Sequence, residues 1–383
     1  MEEKTPFDMI AIAGDNIVSS LGFTAADNYR SVKSGASGVK LYEGLYGVPE
    51  PFMASLINQE ALDEKFAALH SDGGEYSPLE RAAILSASDA ISQAGVDAAN
   101  PRTVFLFSST KGNIEYLDAG ISDERLYLWR SAQRIASFFG NANPPVVVSN
   151  ACISGAYALL TAQREILSGR YDCAVVTGAD RLSKFIVSGF QSFKALSGTV
   201  CKPFDATRNG LNLGEATATI VLQRRQETAK GDILLEKGAV RNDANHISGP
   251  SRTGEGLYLA LSRMMCGRNS ADIAFVNAHG TATPYNDEME SIALHRAGLD
   301  AVPVNGLKAC FGHTLGAAGV LESIISARAL QEGVILPTQG FKQSGTSYAI
   351  PVTRNITPTE KSYFIKVLSG FGGCNAALLF KKA

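Results

Sequence analysis

Three residues of the 383-residue chain have side chains and neighbours suited to acyl-transfer chemistry: Cys152, His279 and His313. A cysteine thiolate attacks thioesters, and an imidazole can donate or accept a proton near neutral pH. Cys152 follows the apolar run VVVSN and precedes a helical pattern that begins near Gly155. A helix N-terminus favours a nearby anion by about 0.3–1 kcal/mol, or up to about 2 kcal/mol when partly buried. We therefore expect the pKa of this thiol to lie roughly one unit below its usual value of about 8.5.

We predict that the two histidines both lie at strand ends, in loops rich in glycine and threonine. His279 lies in NAHGTATPYND, and His313 lies in KACFGHTLGAAG at the entrance to a helical pattern. A single histidine in such a loop is more often a hydrogen-bonded structural residue. Two of them together with a cysteine at a strand-to-helix turn predict one active site. Lys308, five residues before His313, would by itself be interpreted as a solvated charge.

The segment LSGFGGCN near the C-terminus is a second candidate binding element. Its glycines, Gly370, Gly372 and Gly373, free the backbone, so its N–H groups could form an anion-binding nest. A tight turn without a ligand is the alternative. The sequence contains no GxGxxG, GxxxxGK[ST], GxSxG or HExxH motif, which argues against nucleotide binding, serine hydrolysis and zinc hydrolysis.

The composition excludes several broad classes of protein. Lys and Arg number 35 against 37 Asp and Glu, so the net charge of −2 gives no basic surplus for a nucleic-acid partner. No apolar run approaches the roughly 18–20 residues that cross a membrane. The opening MEEKTPFDM lacks the features of a signal peptide, and we expect a cytoplasmic protein. The six cysteines are scattered without a CxxC pair, so we expect no metal site and no disulfide framework.

Apolar runs alternate with helical periods, which predicts an α/β fold with mostly parallel sheets. The polar stretch 224–231 is the best candidate boundary, so we predict an N-terminal half at 1–228 with the cysteine and a C-terminal half at 229–383 with both histidines. The predicted strands are Met9–Ile12 (followed by a turn at Gly14), Val104–Phe107, Val146–Val148, Ala174–Val176, Ala216–Leu222, Ile273–Asn277 and Phe364–Leu368; the predicted helices are Glu80–Ala94, Ser154–Leu167, Met289–Ala297 and Ala317–Gln331.

The two halves share a short pattern. Cys152 is followed at the third and fourth positions by Gly155 and Ala156, and His313 is followed at the same positions by Gly316 and Ala317. A match of small residues can arise by coincidence. Because each pattern has a reactive side chain before a helix, duplication of a βα unit is the better interpretation.

Taken together, these segments resemble β-ketoacyl-[acyl-carrier-protein] synthases of the Cys-His-His type, in the thiolase superfamily. The resemblance extends over nearly the whole chain. It implies a five-layer αβαβα fold built from two pseudo-duplicated halves with mostly parallel or mixed sheets, usually in a homodimer. The matching segments are IAGDNIVSSLG, SNACISGA, KPFDATRNGLNLGEA, DANHISGP, NAHGTATPYND, KACFGHTLGAAGVLE and SGFGGCN.

The resemblance also implies an acyltransferase activity. Cys152 would take an acyl chain from an acyl carrier protein, and a malonyl thioester would then lose carbon dioxide. His279 and His313 would stabilise the enolate, whose carbanion attacks the acyl-Cys152 carbonyl and lengthens the chain by two carbons. The backbone N–H groups of Cys152 and Phe371 would form the oxyanion hole. No metal or other cofactor is implied, since the 4′-phosphopantetheine arrives on the carrier protein.

Four further residues receive supporting roles from the same resemblance. Lys308 would tune the His313 side of the site, and Glu322 would brace it from the following helix. Thr281 and Thr283, with Phe371, would contact the pantetheine arm.

The sequence departs from the usual family pattern at several positions. Ser369 stands where elongating members often carry Phe, Cys374 replaces the usual Thr, and Asn209 stands where Asp is common. The region 114–143 looks short, and Lys111 falls at a candidate acyl-pocket position. An ammonium buried in the acyl pocket would disfavour long saturated acyl chains. The sequence leaves two pathways open, fatty-acid synthesis and a specialised polyene or polyketide route.

Two alternatives remain open. A thiolase acting on coenzyme A thioesters would carry its second cysteine before the C-terminal glycine run, whereas Cys374 follows it. A non-catalytic, chain-length-shaping subunit of a heterodimer would usually lack the nucleophile. An acidic carrier protein should meet a basic patch, for which Lys194, Lys202 and Arg208 are candidates.

Overall fold

The computed structural model describes residues 9–70 and 75–383. The strands are β1 (Met9–Ser19), β2 (Lys40–Tyr42), β3 (Phe52–Ser55), β4 (Thr103–Ser108), β5 (Val146–Val148), β6 (Cys173–Asp180), β7 (Leu213–Gly214), β8 (Ala216–Arg225), β9 (Ile233–Asn242), β10 (Ile273–Asn277), β11 (Val304–Asn305), β12 (Val334–Ile335), β13 (Thr357–Pro358), β14 (Tyr363–Gly370) and β15 (Cys374–Lys382). The α-helices are α1 (Ala25–Lys33), α2 (Gln59–Leu69), α3 (Pro78–Ala94), α4 (Leu128–Phe138), α5 (Ser154–Leu167), α6 (Lys184–Ser192), α7 (Glu255–Met265), α8 (Pro284–Arg296), α9 (Lys308–Phe311) and α10 (Ala318–Glu332). Short 3₁₀ helices lie at Leu45–Gly47, Ile114–Leu117, Glu124–Leu126, Ser270–Asp272 and Leu315–Ala317.

The largest sheet consists of two five-stranded halves with the same internal order. In the first half β4 pairs in parallel with β5 and β6, β6 pairs antiparallel with β8, and β8 with β1. In the second half β10 pairs in parallel with β11 and β14, β14 pairs antiparallel with β15, and β15 with β9. The halves join at β1 and β9 through the pair Ala11–Leu234. This repeated order confirms the predicted duplication, with mixed rather than mostly parallel halves.

Helices separate and cover the two half-sheets, which gives the predicted five layers. The helices α5 and α10 pack against each other between the halves, α3 covers the first half, and α7 with α8 covers the second. The central helix α10 is buried on all sides from Ala318 to Ala327, as expected of a predominantly apolar helix inside a fold. Among the described residues, no helix is both long and apolar enough to cross a membrane.

Gly155 of the repeated pattern and Gly319 of α10 allow the two central helices to approach closely. A Cβ at Gly155 would lie 2.9 Å from the carbonyl oxygen of Gly316, and a Cβ at Gly319 would lie 2.3 Å from the amide nitrogen of Ala156. A side chain at either position would force the helices apart. Since Cys152 and His313 immediately precede these contacts, the close packing sets the spacing between them.

Several predicted elements match the structure, and some do not. The strands at 146–148 and 273–277 and the helix at 154–167 have the predicted bounds. The helix predicted at 317–331 is shifted to 318–332, and the helix predicted at 289–297 begins at 284 and ends at 296. The other predicted elements are longer in the structure than predicted. The predicted turn at Gly14 is wrong, because β1 continues through a bulge there to Ser19. Glycine is needed at this bulge because a Cβ would lie 2.1 Å from the carbonyl oxygen of Ala90. The strands β9 and β15 were not predicted. The predicted boundary at 228/229 lies in the connection between β8 and β9.

Candidate active site

The structure brings Cys152, His279 and His313 together at the ends of three separate segments. Cys152 lies between β5 and α5, His279 follows β10 by two residues, and His313 lies between α9 and the 3₁₀ helix at 315–317. The cysteine sulfur and one ring nitrogen of each histidine all lie within 4.8 Å of one another. The two imidazole rings meet edge to face, with centroids 5.0 Å apart. All three side chains are buried, so the predicted set forms one compact group.

The turn that presents the cysteine is held by local hydrogen bonds. Ala151 has a φ of +45°, a left-handed conformation that non-glycine residues rarely adopt. The Ser154 hydroxyl donates to the Ala151 carbonyl at 2.6 Å and accepts the Asn150 N–H at 2.7 Å. Gly370 packs against the other side, where a Cβ would lie 3.0 Å from the Cys152 nitrogen. These contacts fix the direction of the thiol.

The protonation of the thiol differs from the sequence-based expectation. Burial raises the pKa of Cys152 to about 11, although the charges of Lys308 and Lys111 and the Phe371 N–H lower it in part. The prediction that the helix N-terminus lowers this pKa below its usual value is therefore wrong. The reason is that the free energy needed to remove the thiolate from water exceeds the stabilisation that the helix N-terminus provides. At rest the nucleophile is a thiol.

Both histidines are neutral at rest. Burial lowers the pKa of His279 and of His313 well below 6.5, and the positive charges of Lys308 and Lys366 lower both further. The Nδ1 atom of His313 accepts the backbone N–H of Leu315 at 3.3 Å, so the ring proton is on Nε2. This Nε2 and the Nδ1 of His279 are buried and have no hydrogen-bond partner among the described residues. An unpaired buried N–H is a donor available to a substrate oxygen.

A buried cluster of three charges lies beside the histidines. The Glu322 carboxylate accepts from Lys308 at 2.7 Å and from Lys366 at 2.5 Å. All three side chains are almost fully buried. Two cations share one anion, which leaves a net positive charge near the place where an enolate would form. Lys308 and Glu322 were predicted site residues; Lys366 was missed, although a lone lysine within the apolar run YFIKVLSG was a detectable signal.

Two buried carboxylates hold the His279 loop and were also missed. Glu290 accepts the backbone N–H groups of His279 and Gly280, both at 2.7 Å. Asp287 accepts the N–H groups of Ala282 at 3.1 Å and of Phe204 at 2.7 Å. Burial and the charge of Asp287 raise the pKa of Glu290 to about 7. The acidic run NDEME at the start of α8 was the only sequence signal for them.

The C-terminal glycine segment is the tight turn between β14 and β15. The Phe371 N–H lowers the pKa of Cys152, which places this donor on the side of the turn that faces the sulfur. Its role in an oxyanion hole stays a prediction. The Phe371 ring stacks on Phe190 with centroids 5.8 Å apart and meets the edge of Phe193 at 5.4 Å. The Cys374 thiol donates to the Phe371 carbonyl at 3.3 Å. The turn thus contacts both the nucleophile and an aromatic wall.

A cavity of about 550 Å³ leads to the reactive residues. The side chains of Thr281 and Thr283 line it, and their hydroxyl groups are 2.8 Å apart. Phe371 and Lys194 also line it. This is a volume suited to an extended thioester arm. The roles of the two threonines toward pantetheine stay predictions.

One predicted position stays a prediction, and another is placed differently from expectation. Lys111 is half-buried, its charge acts on Cys152 and Asp180, and its place at an acyl pocket stays a prediction. Arg208 is a poor candidate for a docking surface because its side chain is only 8% exposed. Its guanidinium donates to the Gly345 carbonyl at 2.7 Å and to the Pro284 carbonyl at 3.2 Å. Arg208 is therefore a structural clamp between loops.

The reactive group is also the one set of atoms in the described residues that could hold a metal ion. One thiolate sulfur and two imidazole nitrogens are a donor set that suits zinc. A bound ion would occupy the same lone pairs and N–H positions that thioester chemistry requires. Occupation by metal and acyl transfer are therefore mutually exclusive at this site.

With this geometry established, the family models identify the chain. The model of the β-ketoacyl synthase N-terminal domain matches residues 8–228, and that of the β-ketoacyl synthase C-terminal domain matches residues 234–342. The chain belongs to the β-ketoacyl synthase family. This confirms the resemblance inferred from the motifs.

Relatives and solved structures are consistent with this membership. The chain is 32% identical over 262 residues to nodulation protein E of Rhizobium meliloti, an alignment that covers 66% of this chain and 65% of that protein. It is 27% identical over 420 residues to a putative mitochondrial 3-oxoacyl-[acyl-carrier-protein] synthase of Schizosaccharomyces pombe, covering 97% and 99%. A chain in the complex of a ketosynthase with its chain length factor from Xenorhabdus doucetiae superposes with a TM-score of 0.86 at 25% identity, covering all of both chains.

Proposed function

We propose that this protein catalyses the decarboxylative Claisen condensation of an acyl-enzyme thioester with malonyl-[acyl-carrier protein], giving a 3-oxoacyl-[acyl-carrier protein]. The observation that carries the proposal is the convergence of Cys152, His279 and His313 within 4.8 Å at a cavity. Similarity to a named 3-oxoacyl-[acyl-carrier-protein] synthase over almost the full length supports it.

The first half-reaction transfers the acyl group to Cys152. The thiol is protonated at rest, so its proton must leave as sulfur attacks the thioester carbonyl. The neutral imidazole of His279 lies within reach to take it, whereas His313 already carries its ring proton on Nε2. The N–H groups of Cys152 and Phe371 would stabilise the oxyanion, and the carrier-protein thiol leaves with the proton. One oxyanion donor is typically worth about 10²–10³ in rate.

The second half-reaction uses the same histidines as hydrogen-bond donors. When malonyl thioester loses carbon dioxide, negative charge collects on the thioester oxygen of the enolate. The Nε2–H of His313 has no other partner among the described residues and can donate to this oxygen. The excess positive charge around Glu322 stabilises the negative charge as it moves from the malonyl carboxylate to the enolate oxygen. The enolate carbon then attacks the acyl-Cys152 carbonyl, the carbon–sulfur bond breaks, and the released Cys152 thiolate takes up a proton from water to regenerate the thiol.

We also propose two macromolecular partners. The first is the acyl carrier protein, for which Lys194 at the cavity is the exposed basic candidate. The second is another chain of the same fold, either identical or different, as in the ketosynthase and chain-length-factor complex. β5 is an edge strand of the large sheet and packs against α4, at whose start Tyr127 and Trp129 stack on each other while about half exposed. An unpaired edge beside exposed aromatic rings suits a second chain.

The test is acylation followed by condensation. Purified protein is incubated with a panel of acyl-carrier thioesters, and Cys152 is examined by mass spectrometry before malonyl-carrier protein is added. We expect an acyl adduct on Cys152 and then a 3-oxoacyl product, neither of which forms with Cys152→Ala. Adducts from coenzyme A thioesters alone would indicate a thiolase. The absence of any adduct would indicate a non-catalytic subunit.

A further inference from the structure

Lys366 is a fully buried lysine at the middle of β14. Its side chain is completely shielded from solvent, and its ammonium contacts three acceptors: Glu322 at 2.5 Å, the Ala278 carbonyl at 3.2 Å and the Asn277 carbonyl at 3.4 Å. A buried lysine is rare and costly unless its charge is paired. If the residue at position 366 only packed in the hydrophobic core, an apolar side chain would be more stable there.

The contacts of Lys366 reach the supports of both histidines. Asn277 ends β10, and Ala278 is the residue immediately before His279. The second oxygen of Glu322 binds Lys308 at the start of α9, the short helix that leads into His313. One ammonium group therefore joins β14, β10, α10 and, through Glu322, α9.

We propose that Lys366 is a positioning residue for the condensing site. It holds the backbone before His279 and, through Glu322 and Lys308, the segment before His313, and its charge adds to the positive field that favours the enolate. This inference rests on the proposed function, since the enolate is the species that the two rings would stabilise. Lys366 does not line the cavity and acts only through the residues that do.

The protonation state of Lys366 also makes the positive charge at the site depend on pH. Burial lowers its pKa to about 8, and Glu322 opposes that shift. The positive charge is thus present below about pH 8 and is lost as the pH rises through that value. The charged or titratable groups that act on this ammonium, or that it acts on, are Glu322, Lys308, Glu290, His279 and His313. Of these, both histidines are already neutral in this range.

The experiment compares Lys366→Met with Lys361→Met in the full chain. Lys361 is a matched control because its ammonium donates to the carbonyl of Ile273, at the opposite end of the same strand β10. Malonyl-carrier-protein decarboxylation and Cys152 acylation are measured separately. We expect Lys366→Met to lower kcat for decarboxylation by about 10–100-fold, with KM changed less than about threefold, because displaced catalytic groups lose rate rather than binding. Lys361→Met should stay within about threefold of the wild type.

The pH profile separates positioning from simple structural support. The wild-type decarboxylation rate should fall as the pH rises through about 8, and this decline should be absent from Lys366→Met. Lys366→Gln keeps a hydrogen-bond donor without the charge. It should recover part of the kcat for decarboxylation but not the fall in rate with rising pH. The same variant replaces Lys366→Met in the test if the methionine variant does not fold. Equal rates in the two methionine variants, or a flat wild-type profile from pH 7 to 9, would overturn the role of Lys366. A wild type that does not decarboxylate malonyl-carrier protein would instead refute the proposed function, and this inference with it.

Discussion

The raised pKa of Cys152 predicts how its alkylation rate depends on pH. A thiol of pKa about 11 is ionised to roughly one part in 10⁴ at pH 7 and one part in 10² at pH 9. Because the thiolate is the nucleophile, the alkylation rate of the resting protein should rise roughly 100-fold between these pH values. A thiol activated by the helix N-terminus, with a pKa near 7.5, would rise only about fourfold.

The assay is timed alkylation with iodoacetamide, followed by mass spectrometry of the peptide that contains Cys152. The matched control is the same peptide in the chain unfolded by urea. There the thiol regains its usual pKa of about 8.5, and the rate should rise about 25-fold. Alkylation of the exposed Cys266 confirms that active reagent is present at every pH.

A native rate that levels off below pH 9, or that rises less than the unfolded control, would refute the reasoning. It would mean that the helix terminus and the charges of Lys308 and Lys111 outweigh the burial of the thiolate. The acylation step would then need no imidazole to take the thiol proton.

Three further predictions concern the roles of single residues. Cys152→Ala should lose condensation but keep malonyl decarboxylation, because the histidines lie on separate loops; loss of both activities in a folded variant would contradict this. Lys111→Met should shift the acyl-chain-length profile of Cys152 acylation toward longer saturated chains, because the charge of Lys111 acts on Cys152 and a buried ammonium disfavours apolar chains; an unchanged profile would place Lys111 outside the acyl pocket. Burial raises the pKa of Glu115 to about 7, and its carboxylate oxygens have no hydrogen-bond partner among the described residues, so stability should be lost as the pH rises from about 4.5 through 7. Glu115→Gln should therefore raise the free energy of unfolding by about 2–3 kcal/mol at pH 8 and by little at pH 4.5 in urea titrations, whereas the exposed control Glu227→Gln should change neither.

The local sequence determined the reactive residues and the broad architecture. Cysteine and histidine at strand ends indicate thioester chemistry because few side chains can perform it, and alternating periods of hydrophobicity indicate α/β layers. The repeated Gly-Ala pattern after Cys152 and His313 predicted the duplication, since close helix packing leaves no room for a side chain there. These properties depend on residue type and on short-range spacing, both of which can be read along the chain.

Only the tertiary structure decided the charges at the site. The thiol of Cys152 is protonated, and Lys366 contacts Glu322, because strands and helices distant in sequence exclude water from one small volume. Arg208, a surface candidate from sequence, is buried by loops from the C-terminal half. The free energy of an ionised group depends on how much water surrounds it and which charges lie within a few ångströms. Both quantities are set by folding, so neither can be obtained from residue order.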